Sequence, residues 1–550
     1  MGILAKVEDR PTPKEVYNYR VYLSAALASF AAVMIGYDSA FIGGTIALTS
    51  FRTEFGLDKL STTDVAFLSA NIVSTYQAGC FFGAIGGYPV STLMGRKLGI
   101  FLASAIFLVG AVIQCVAKGS IGFGPIYAGR VIAGFGIGMA SNIVPAYVTE
   151  IAPPAIRGRL VGFYEMGWQI GGLVGFWINY GVSTTMEISH IQWLIPFIVQ
   201  IIPGAIMLIG SFWLRESPRW LLNRGRSEEA IRNLCWIRNL GEGERYVQEE
   251  LAMMEAQKES QRQSIGLDFW APFRCIWRNS HIRNRLLLGA SLFAWQNGTG
   301  INAINYYSPT VFKSIGLTGT NTGLFSTGIF GVIKTTVTII WILYLIDIVG
   351  RRRLLLIGSF GGAICMYAVG AYIAIANPSK NPSATVPPGG IAAMFFFYMW
   401  TVFYTPTWNG GPWVINAEIF DQGLRGLTQA VCASSNWFFN FIIARFTPQM
   451  FNSMGFGVYM FFASLMILSI PYVYFLIPET KSVPLEDMDY LFGKGMRPWN
   501  AHEKVMRRVR ERAEEREMNE RQRTPDDMHK MKGDVRELER KGTSSPADSV

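Results

Sequence analysis

Four ionisable side chains lie inside segments of the chain that are otherwise apolar. Asp38 stands in the middle of one apolar run and Arg130 opens another, while Glu165 and Lys334 lie in two more. Charged residues at such places mark the path of an ion or a polar substrate. An unpaired lysine in hydrocarbon costs about 2.5–3.5 kcal/mol, so Lys334 should face a cavity and have an anionic partner. That partner is either Glu165 or an anionic substrate.

The composition is that of a membrane protein. Half of the 550 residues are hydrophobic and only 16% are charged, whereas soluble domains carry about 25% charged residues. The apolar residues form twelve runs near the length of about 20 residues that crosses a bilayer as a helix. We therefore expect an all-α membrane protein with twelve transmembrane helices, numbered here as spans 1 to 12, and we exclude a soluble enzyme.

The twelve runs fall into two groups of six, separated by a charged stretch. The expected regions are an N-terminus (1–21), a six-helix bundle (22–213), a helical loop (214–285), a second six-helix bundle (286–477) and a largely disordered tail (478–550). Lys and Arg are concentrated in the short loops of one side, which marks that side as cytoplasmic. Both termini and the middle loop are then cytoplasmic.

The charges between the spans repeat in the two halves. Gly95-Arg96-Lys97 after span 2 matches Gly350-Arg351-Arg352 after span 8, and Glu150 with Arg157 after span 4 matches Glu418 with Arg425 after span 10 at the same seven-residue offset. Glu216 with Arg219 after span 6 is echoed by Glu479 and Lys481 after span 12. Two parallel six-helix repeats are typical of a transporter whose substrate site lies between the halves near the midplane. Each charge taken alone could instead anchor a helix end.

Other function classes find no support. The net charge of +10 lies mostly between the spans and reflects membrane topology, so we expect no nucleic-acid partner. No G-x-x-x-x-G-K-[ST] loop is present, which argues against an ATP-driven pump. The four His lie outside the spans and the six Cys form no C-x-x-C pair, so we expect neither a metal nor another cofactor.

The cytoplasmic motifs resemble those of the sugar porter family of the major facilitator superfamily. The segment 132–150 (IAGFGIGMASNIVPAYVTE) followed by Arg157 fits that family's span-4 signature. The segments 215–221 (RESPRWL), 347–353 (DIVGRRR) and 478–481 (PETK) fit three further signatures, with Arg215 replacing a proline. The similarity covers about residues 20 to 490 and implies the major facilitator fold with two six-helix repeats.

The resemblance implies roles for charged residues at the cytoplasmic helix ends, which pair when the inner gate of such porters is shut. Semi-exposed ion pairs worth roughly 0–1 kcal/mol each suit a gate that opens reversibly. The gate residues implied here are Arg96, Glu150, Arg157, Glu216, Arg219, Asp347, Arg351, Glu418 and Arg425.

The resemblance also implies a coupling site and a substrate site. Proton symporters of the family have the same Asp38 and Arg130, paired as a protonation switch, and the alternative is a purely structural ion pair. Amides and one indole match family positions that contact the sugar, namely Gln296, Asn297, Asn302, Trp413 and Asn436. Amides suit ring hydroxyls because each offers a donor and an acceptor. Their alternative role is hydrogen bonding between helices.

Two departures from the family bear on the substrate. Glu165 stands in span 5 where sugar porters have Tyr-Gln, and Lys334 stands at or one place from a family Asn in span 8. A neutral hexose gives no reason for a buried cation, whereas a polyhydroxylated carboxylate would use the amides for its hydroxyls and Lys334 for its charge. The sequence as a whole is similar to the fungal quinate permeases, and quinate is such an acid.

The sequence thus predicts a plasma-membrane importer of quinate by proton symport, with Glu165 and Lys334 in the substrate site. A hexose, pentose or other sugar-acid porter of the same family is the first alternative, and a non-transporting nutrient sensor is the second. The expected partners are the small-molecule substrate, protons and the lipid bilayer. Lysines of the tail could be targets of ubiquitin or other degradation machinery, or could keep the tail solvated near anionic lipid.

Overall fold

The structure is a computed structural model that describes residues 12–317, 319–345, 348–378, 387–481, 483, 487–493 and 496–522. Every regular element in these residues is a helix, which confirms the all-α architecture. Asp347 lies outside the described residues. The twelve spans have these bounds: Tyr19–Ala47, Thr62–Met94, Arg96–Cys115, Gly124–Ile151, Arg157–Thr185, His190–Val199 with Ile201–Trp213, Ser280–Gly298 with Ile301–Ile315, Thr320–Ile340 with Trp341–Leu345, Arg351–Ala376, Pro388–Tyr404 with Thr405–Asn409 and Gly411–Glu418, Gln422–Met454, and Gly457–Leu476.

The apolar runs explain most of these helices, because a long apolar segment in a bilayer must satisfy its own backbone hydrogen bonds. Eight of the spans, numbers 1, 2, 3, 4, 6, 8, 9 and 12, are long and apolar enough to cross a membrane by length and composition alone. The other four, spans 5, 7, 10 and 11, are more polar or are broken. These four also carry most of the residues expected to contact the substrate.

Local breaks interrupt the spans that line the centre. Span 7 divides at Gly300, whose φ of +89° is a left-handed conformation that glycine adopts readily. Spans 8 and 10 each contain one turn of π-helix, at Trp341–Leu345 and Thr405–Asn409. Such turns often occur at functional sites, because they redirect side chains without ending the helix.

The two halves pack in equivalent ways. Spans 3 and 4 lie together in the first half and spans 9 and 10 in the second, while span 2 packs on span 11 and span 5 on span 8 across the boundary. Spans 1 and 5 approach so closely that a Cβ on Gly36 would lie 1.9 Å from the carbonyl oxygen of Trp168. Small residues permit this approach of two backbones, which brings span 1 beside the polar residues of span 5.

The region between the halves is helical, with four helices at Pro218–Asn223, Ser227–Arg238, Arg245–Ser264 and Ala271–Arg278. The first three share a small apolar core that includes Leu221, Leu234 and Val247. Arg238 pairs with Glu250 at 2.6 Å inside this region, and its Nη1 donates to the backbone oxygen of Ile151 at 2.7 Å. The loop domain is thereby fixed to the end of span 4.

The tail, expected to be largely disordered with room for one charged helix, contains a helix at Pro498–Gln522. Ala501 and Val505, four residues apart, are fully buried against a cluster that includes Met488 and Leu491. Arg512 also donates to Asp487 at 2.5 Å. This short apolar stripe is hard to see in the sequence because charged residues surround it. Residues 523–550 lie outside the described part of the chain.

A polar cluster holds the loop after span 1 against span 6. The carboxylate of Glu54 accepts hydrogen bonds from the indole Nε1 of Trp193 at 2.6 Å and from the backbone N–H of Gly119 at 3.2 Å. Nδ1 of His190 lies 2.9 Å from the same carboxylate. Burial alone would raise the pKa of Glu54, but these hydrogen bonds outweigh burial and the pKa is lowered. Ionised Glu54 therefore stabilises the fold.

The lowered pKa of Glu54 gives its contribution a definite pH dependence. A group with a depressed pKa stabilises the folded state above its unfolded pKa, about 4.3 for Glu, and this contribution disappears as the pH falls through the folded pKa. We expect Glu54→Gln to lower the melting temperature in detergent at pH 7 by a few degrees and by clearly less at pH 3.5. Asp58→Asn on the same loop is the matched control, since Asp58 is 48% exposed and its pair with Arg52 should contribute little. Equal melting temperatures for wild type and Glu54→Gln at both pH values would contradict the argument.

Candidate functional site

A narrow cavity lies between the two halves, lined by spans 1, 5, 7 and 8. Its polar side chains are those of Ser39, Gln169, Asn305, Lys334 and Thr335. The remaining lining residues are apolar or glycine: Gly36, Ala40, Trp168, Gly172, Leu173, Phe176 and Gly331. Both halves contribute to its walls, so relative movement of the halves would change its shape.

Lys334 is the cation of this cavity. Its side chain is buried, with 6% of the residue exposed. Among the described residues no carboxylate oxygen lies within 4.0 Å of its Nζ, although Glu165 is near enough for the two charges to interact. The structure therefore brings Lys334 and Glu165 to the same region without joining them in a direct ion pair. A buried ammonium in this arrangement is poorly compensated and attracts an anion.

Glu165 is held by amides. Its Oε1 accepts hydrogen bonds from Nε2 of Gln169, one turn along span 5, at 3.0 Å, and from Nδ2 of Asn409 in span 10 at 2.9 Å. Asn409 belongs to the second half and ends the π-helical turn of span 10. This hydrogen bond thus connects the two halves close to Lys334.

The residues that match sugar-contact positions form a neighbouring network. Nε2 of Gln296 donates to the backbone oxygens of Trp408 and Asn409, both at 2.8 Å. Nδ2 of Asn297 donates to Oδ1 of Asn436 at 3.2 Å, and Asn302 donates to Oδ1 of Asn297. These amides connect spans 7, 10 and 11 and do not line the cavity around Lys334.

Trp413 packs edge-to-face on Phe293, with ring centroids 4.7 Å apart. It is one of the partly buried residues that pack against the apolar cores of both halves. Its ring therefore lies at the boundary between the halves, like the amide network.

Asp38 and Arg130 form an ion pair within the first half. Nη1 of Arg130 donates to Oδ1 of Asp38 at 2.9 Å, and both side chains have 0% exposure. Oδ2 of Asp38 and Nε and Nη2 of Arg130 have no hydrogen-bond partner in the described residues. The Arg130 guanidinium lies over the ring of Tyr76, 4.9 Å from its centroid. A buried pair with unsatisfied atoms adds little stability, which favours a functional reason for its presence.

The arginine-rich face of the molecule, where Arg96 and Arg351 begin spans 3 and 9, shows the repeat directly. Arg96 pairs with Glu150 at 2.8 Å in the first half, and Arg351 pairs with Glu418 at 2.9 Å in the second. Both pairs are only partly exposed, so solvent screens them incompletely. The two equivalent pairs lie within the halves and not between them.

One further carboxylate lies beside each of these two ion pairs. Glu216 accepts the backbone N–H groups of Arg96 and Lys97 at 2.9 and 3.1 Å. Glu479 accepts those of Arg351 and Arg352 at the same two distances. Each carboxylate caps a helix N-terminus, where the helix dipole favours negative charge.

The remaining expected gate residues that the structure describes, Arg157, Arg219 and Arg425, are positively charged. Arg157 has Arg219 and Arg425 as electrostatic neighbours, and their charges repel. Nη2 of Arg425 makes a long hydrogen bond to the backbone oxygen of Phe420, at 3.4 Å. Arg157 belongs to the first half, Arg219 to the loop region and Arg425 to the second half, and Arg425 also has Glu150 of the first half as an attracting neighbour.

Five polar residues of the site were not predicted from the sequence, among them Ser39 and Thr335 of the cavity lining. Gln169 and Asn305 line the cavity, and Asn409 binds Glu165. Gln169 could have been found as a polar residue one turn from Glu165 in the same helix. Asn305 and Asn409 give only the weak signal of an amide in an apolar run, because the helix breaks that position them are not marked in the sequence.

The chain is similar to proteins of known family and structure. The model of the family described as "Sugar (and other) transporter" matches residues 24–492. A "Probable quinate permease" of Neosartorya fischeri is 62% identical over 512 residues, covering 93% of this chain and 94% of the relative. A relative with the same description in Aspergillus niger is 60% identical over 511 residues, with coverage of 93% and 95%.

Solved structures agree with the fold. The proton:xylose symporter XylE bound to 6-bromo-6-deoxy-D-glucose is 26% identical, with a TM-score of 0.70 and coverage of 86% of this chain and 99% of the symporter. An inward-open conformation of XylE from E. coli has a TM-score of 0.67 at 26% identity, with coverage of 86% and 100%. These likenesses confirm the major facilitator fold with twelve helices. The chain belongs to the sugar transporter family of the major facilitator superfamily and is a multi-pass membrane transporter, not an enzyme.

Proposed function

We propose that the protein imports quinate by proton symport through alternating access. The observation that carries the proposal is Lys334, a buried cation in a cavity between the halves with no carboxylate oxygen within ion-pair distance in the described residues. A neutral sugar would leave that charge with only the more distant Glu165 to compensate it, whereas a carboxylate in the cavity would neutralise it directly. The description of the relatives as probable quinate permeases supports the same substrate.

Recognition of such a substrate is divided between Lys334 and the neighbouring amide network of spans 7, 10 and 11. The carboxylate lies against Lys334, and the ring hydroxyls are bound by amides such as Gln296, Asn297, Asn302 and Asn436, with Trp413 packing against the ring. Glu165 interacts with Lys334 before the substrate arrives, and the arriving carboxylate displaces this interaction. Glu165 also accepts a hydrogen bond from Asn409 of the other half. When the substrate carboxylate displaces Glu165 from Lys334, this contact between the halves is loosened as well.

Proton coupling is assigned to Asp38 with Arg130. An ionised Asp38 needs Arg130 in a site without water, so a movement that separates them favours uptake of a proton by the carboxylate. The proton symport of the structural neighbour XylE supports this assignment. One proton with one carboxylate moves no net charge, so more than one proton per anion is needed to use the membrane potential. Each net charge moved gains about 2.3 kcal/mol per 100 mV.

The spans 1–6 rock against spans 7–12, and the arginine-rich face forms the cytoplasmic gate. The paired units of Arg96 with Glu150 and Arg351 with Glu418 keep each half rigid while the halves move. In this orientation both termini are cytoplasmic, the protein resides in the plasma membrane, and the lysines of the tail are accessible to ubiquitin-dependent degradation.

The test is uptake of labelled quinate and labelled glucose by transporter-deficient cells expressing the protein, at pH 5 and pH 7.5. We expect quinate uptake that is faster at pH 5 and collapses with a protonophore, and no glucose uptake above that of cells with an empty vector. Glucose uptake without quinate uptake would contradict the assignment of Lys334 to a substrate carboxylate. Quinate uptake indifferent to pH and protonophore would contradict proton coupling. Substrate flux into vesicles that contain the purified protein distinguishes a transporter from a nutrient sensor.

A further inference from the structure

Asn305 has an unsatisfied acceptor in the same cavity as Lys334. The residue is 9% exposed, and its Oδ1 is buried without a hydrogen-bond partner among the residues that the structure describes. Buried polar groups in native proteins are almost always bonded, so an exception calls for an explanation. Both Asn305 and Lys334 line the cavity, and a ligand there can meet both.

The other polar lining residues are engaged by protein groups. The hydroxyl of Thr335 donates to the backbone oxygen of Gly331 at 2.9 Å, and Nε2 of Gln169 donates to Glu165 at 3.0 Å. Ser39 contacts the phenol of Tyr306. The free acceptor of Asn305 therefore differs from its neighbours in having no protein group to satisfy it in the described residues.

The local backbone explains how Asn305 reaches the cavity. It lies in the second helix of span 7, Ile301–Ile315, two residues before Tyr307, whose φ and ψ of −124° and 24° are not helical. Pro309 follows in the same helix, and a proline inside a helix removes a backbone hydrogen bond and bends it. Asn305 therefore stands on the rigid turn between Gly300 and this kink.

The chemistry of the two groups is complementary and directional. The ammonium of Lys334 only donates hydrogen bonds, and Oδ1 of Asn305 only accepts them. A carboxylate cannot bond Oδ1 of Asn305, because both are acceptors, but it fits Lys334. A hydroxyl can donate the hydrogen bond that Oδ1 of Asn305 lacks. A ligand that satisfies both must carry an anionic acceptor and a hydrogen-bond donor, and a hydroxylated carboxylate has both groups and is oriented by them.

We propose that Asn305 is a specificity-determining residue that accepts a hydrogen bond from a ring hydroxyl of the transported acid, and so selects hydroxylated acids over plain carboxylates. This inference rests on the proposed function, since it takes Lys334 as the site of the substrate carboxylate. It deepens that function by naming the group that distinguishes quinate from an acid of similar shape without hydroxyls.

The test compares two acids in one variant. Asn305→Leu keeps the branching at Cγ with a larger volume and suits an apolar helix, but lacks the acceptor. We expect the KM for labelled quinate to rise about tenfold with Vmax changed less than about threefold, as for the loss of a buried hydrogen bond. Inhibition of residual uptake by cyclohexanecarboxylate, which has the carboxylate and the ring but no hydroxyl, should be unchanged. Surface expression and melting temperature of the variant are measured beside these constants.

The outcomes separate the two proposals. Equal loss of affinity for quinate and cyclohexanecarboxylate in Asn305→Leu would overturn the inference and make Asn305 a packing residue. An unchanged KM for quinate would also overturn it, because water and not the substrate would then satisfy the acceptor. In Lys334→Met the affinity of the purified protein for both acids should fall, which distinguishes the carboxylate contact from the hydroxyl contact. Absence of quinate uptake by the wild type would overturn the proposed function, and with it the inference.

Discussion

Lys334→Met is expected to abolish quinate uptake while leaving the protein at least as stable as the wild type. Lys334 is 6% exposed in the cavity, and no carboxylate oxygen of the described residues lies within 4.0 Å of its Nζ. Removing one partner of a buried ion pair costs about 3–5 kcal/mol, because the other charge stays buried alone. For the bound carboxylate this corresponds to a loss of about 150- to 5,000-fold in kcat/KM. Initial rates of labelled quinate uptake, normalised to surface expression, measure it.

The effect on stability separates this role from a structural one. A buried lysine costs about 2.5–3.5 kcal/mol in hydrocarbon, so methionine of similar length should keep or raise the melting temperature. Lys313→Met is the matched control, because Lys313 is exposed near the end of span 7 in the same half and outside the cavity. It should leave uptake unchanged. Full quinate uptake by Lys334→Met would contradict the carboxylate contact.

A double variant decides whether Glu165 and Lys334 only neutralise each other. If they were a structural pair, removing both charges in Lys334→Met with Glu165→Gln would restore uptake that each single change had lost. If Lys334 binds the substrate, the double variant stays inactive toward quinate. We expect the second result. Glu165 accepts hydrogen bonds from Gln169 and Asn409 at 3.0 and 2.9 Å, so its position does not depend on Lys334. The side-chain oxygen of glutamine can accept both bonds, so Glu165→Gln removes the charge and keeps these contacts.

The fold follows from features that are local in the sequence. A long apolar run needs no tertiary information to become a helix in a membrane, since helix formation satisfies its backbone groups. The repeated charges are equally local. Gly95 and Gly350 have φ values of +103° and +92°, and in each case a Cβ would clash with a carboxylate, that of Glu216 or of Glu479. A glycine is therefore required at both places by the same contact.

The site is less predictable because it depends on distances between helices. The sequence singles out Glu165 and Lys334 as charges in apolar spans, but whether they form an ion pair depends on the distance between spans 5 and 8. Asn409 reaches Glu165 across the halves from a π-helical turn, and no residue pattern marks such a turn. The stripe of Ala501 and Val505 in the tail is missed for a related reason, since two small apolar residues become significant only when another cluster covers them.

Asp38→Asn is expected to abolish uphill accumulation of quinate while exchange of quinate across the membrane continues. Asparagine resembles the protonated carboxyl in shape and charge, so the variant is fixed in the proton-loaded form. In the wild type, Oδ1 of Asp38 lies 2.9 Å from Nη1 of Arg130 and both side chains are fully buried. Without an ionisable group at this position the return of the empty carrier no longer releases a proton. The accumulation ratio at pH 5 should therefore fall to about one, whereas counterflow should stay within a few-fold of the wild type.

Counterflow also serves as the control for folding. In Asp38→Asn, Arg130 stays buried without the charged partner that it has in the wild type, and removal of one partner of a buried ion pair costs about 3–5 kcal/mol. Loss of counterflow together with a large fall in melting temperature would show a structural ion pair, and the conservative Asp38→Glu should then restore stability more than accumulation. Accumulation by Asp38→Asn that still collapses with a protonophore would place the coupling proton elsewhere. Glu165 would be the next carboxylate to test, because it is a half-buried acid near the cavity. Its interaction with Lys334 is also the one that an arriving anion must displace.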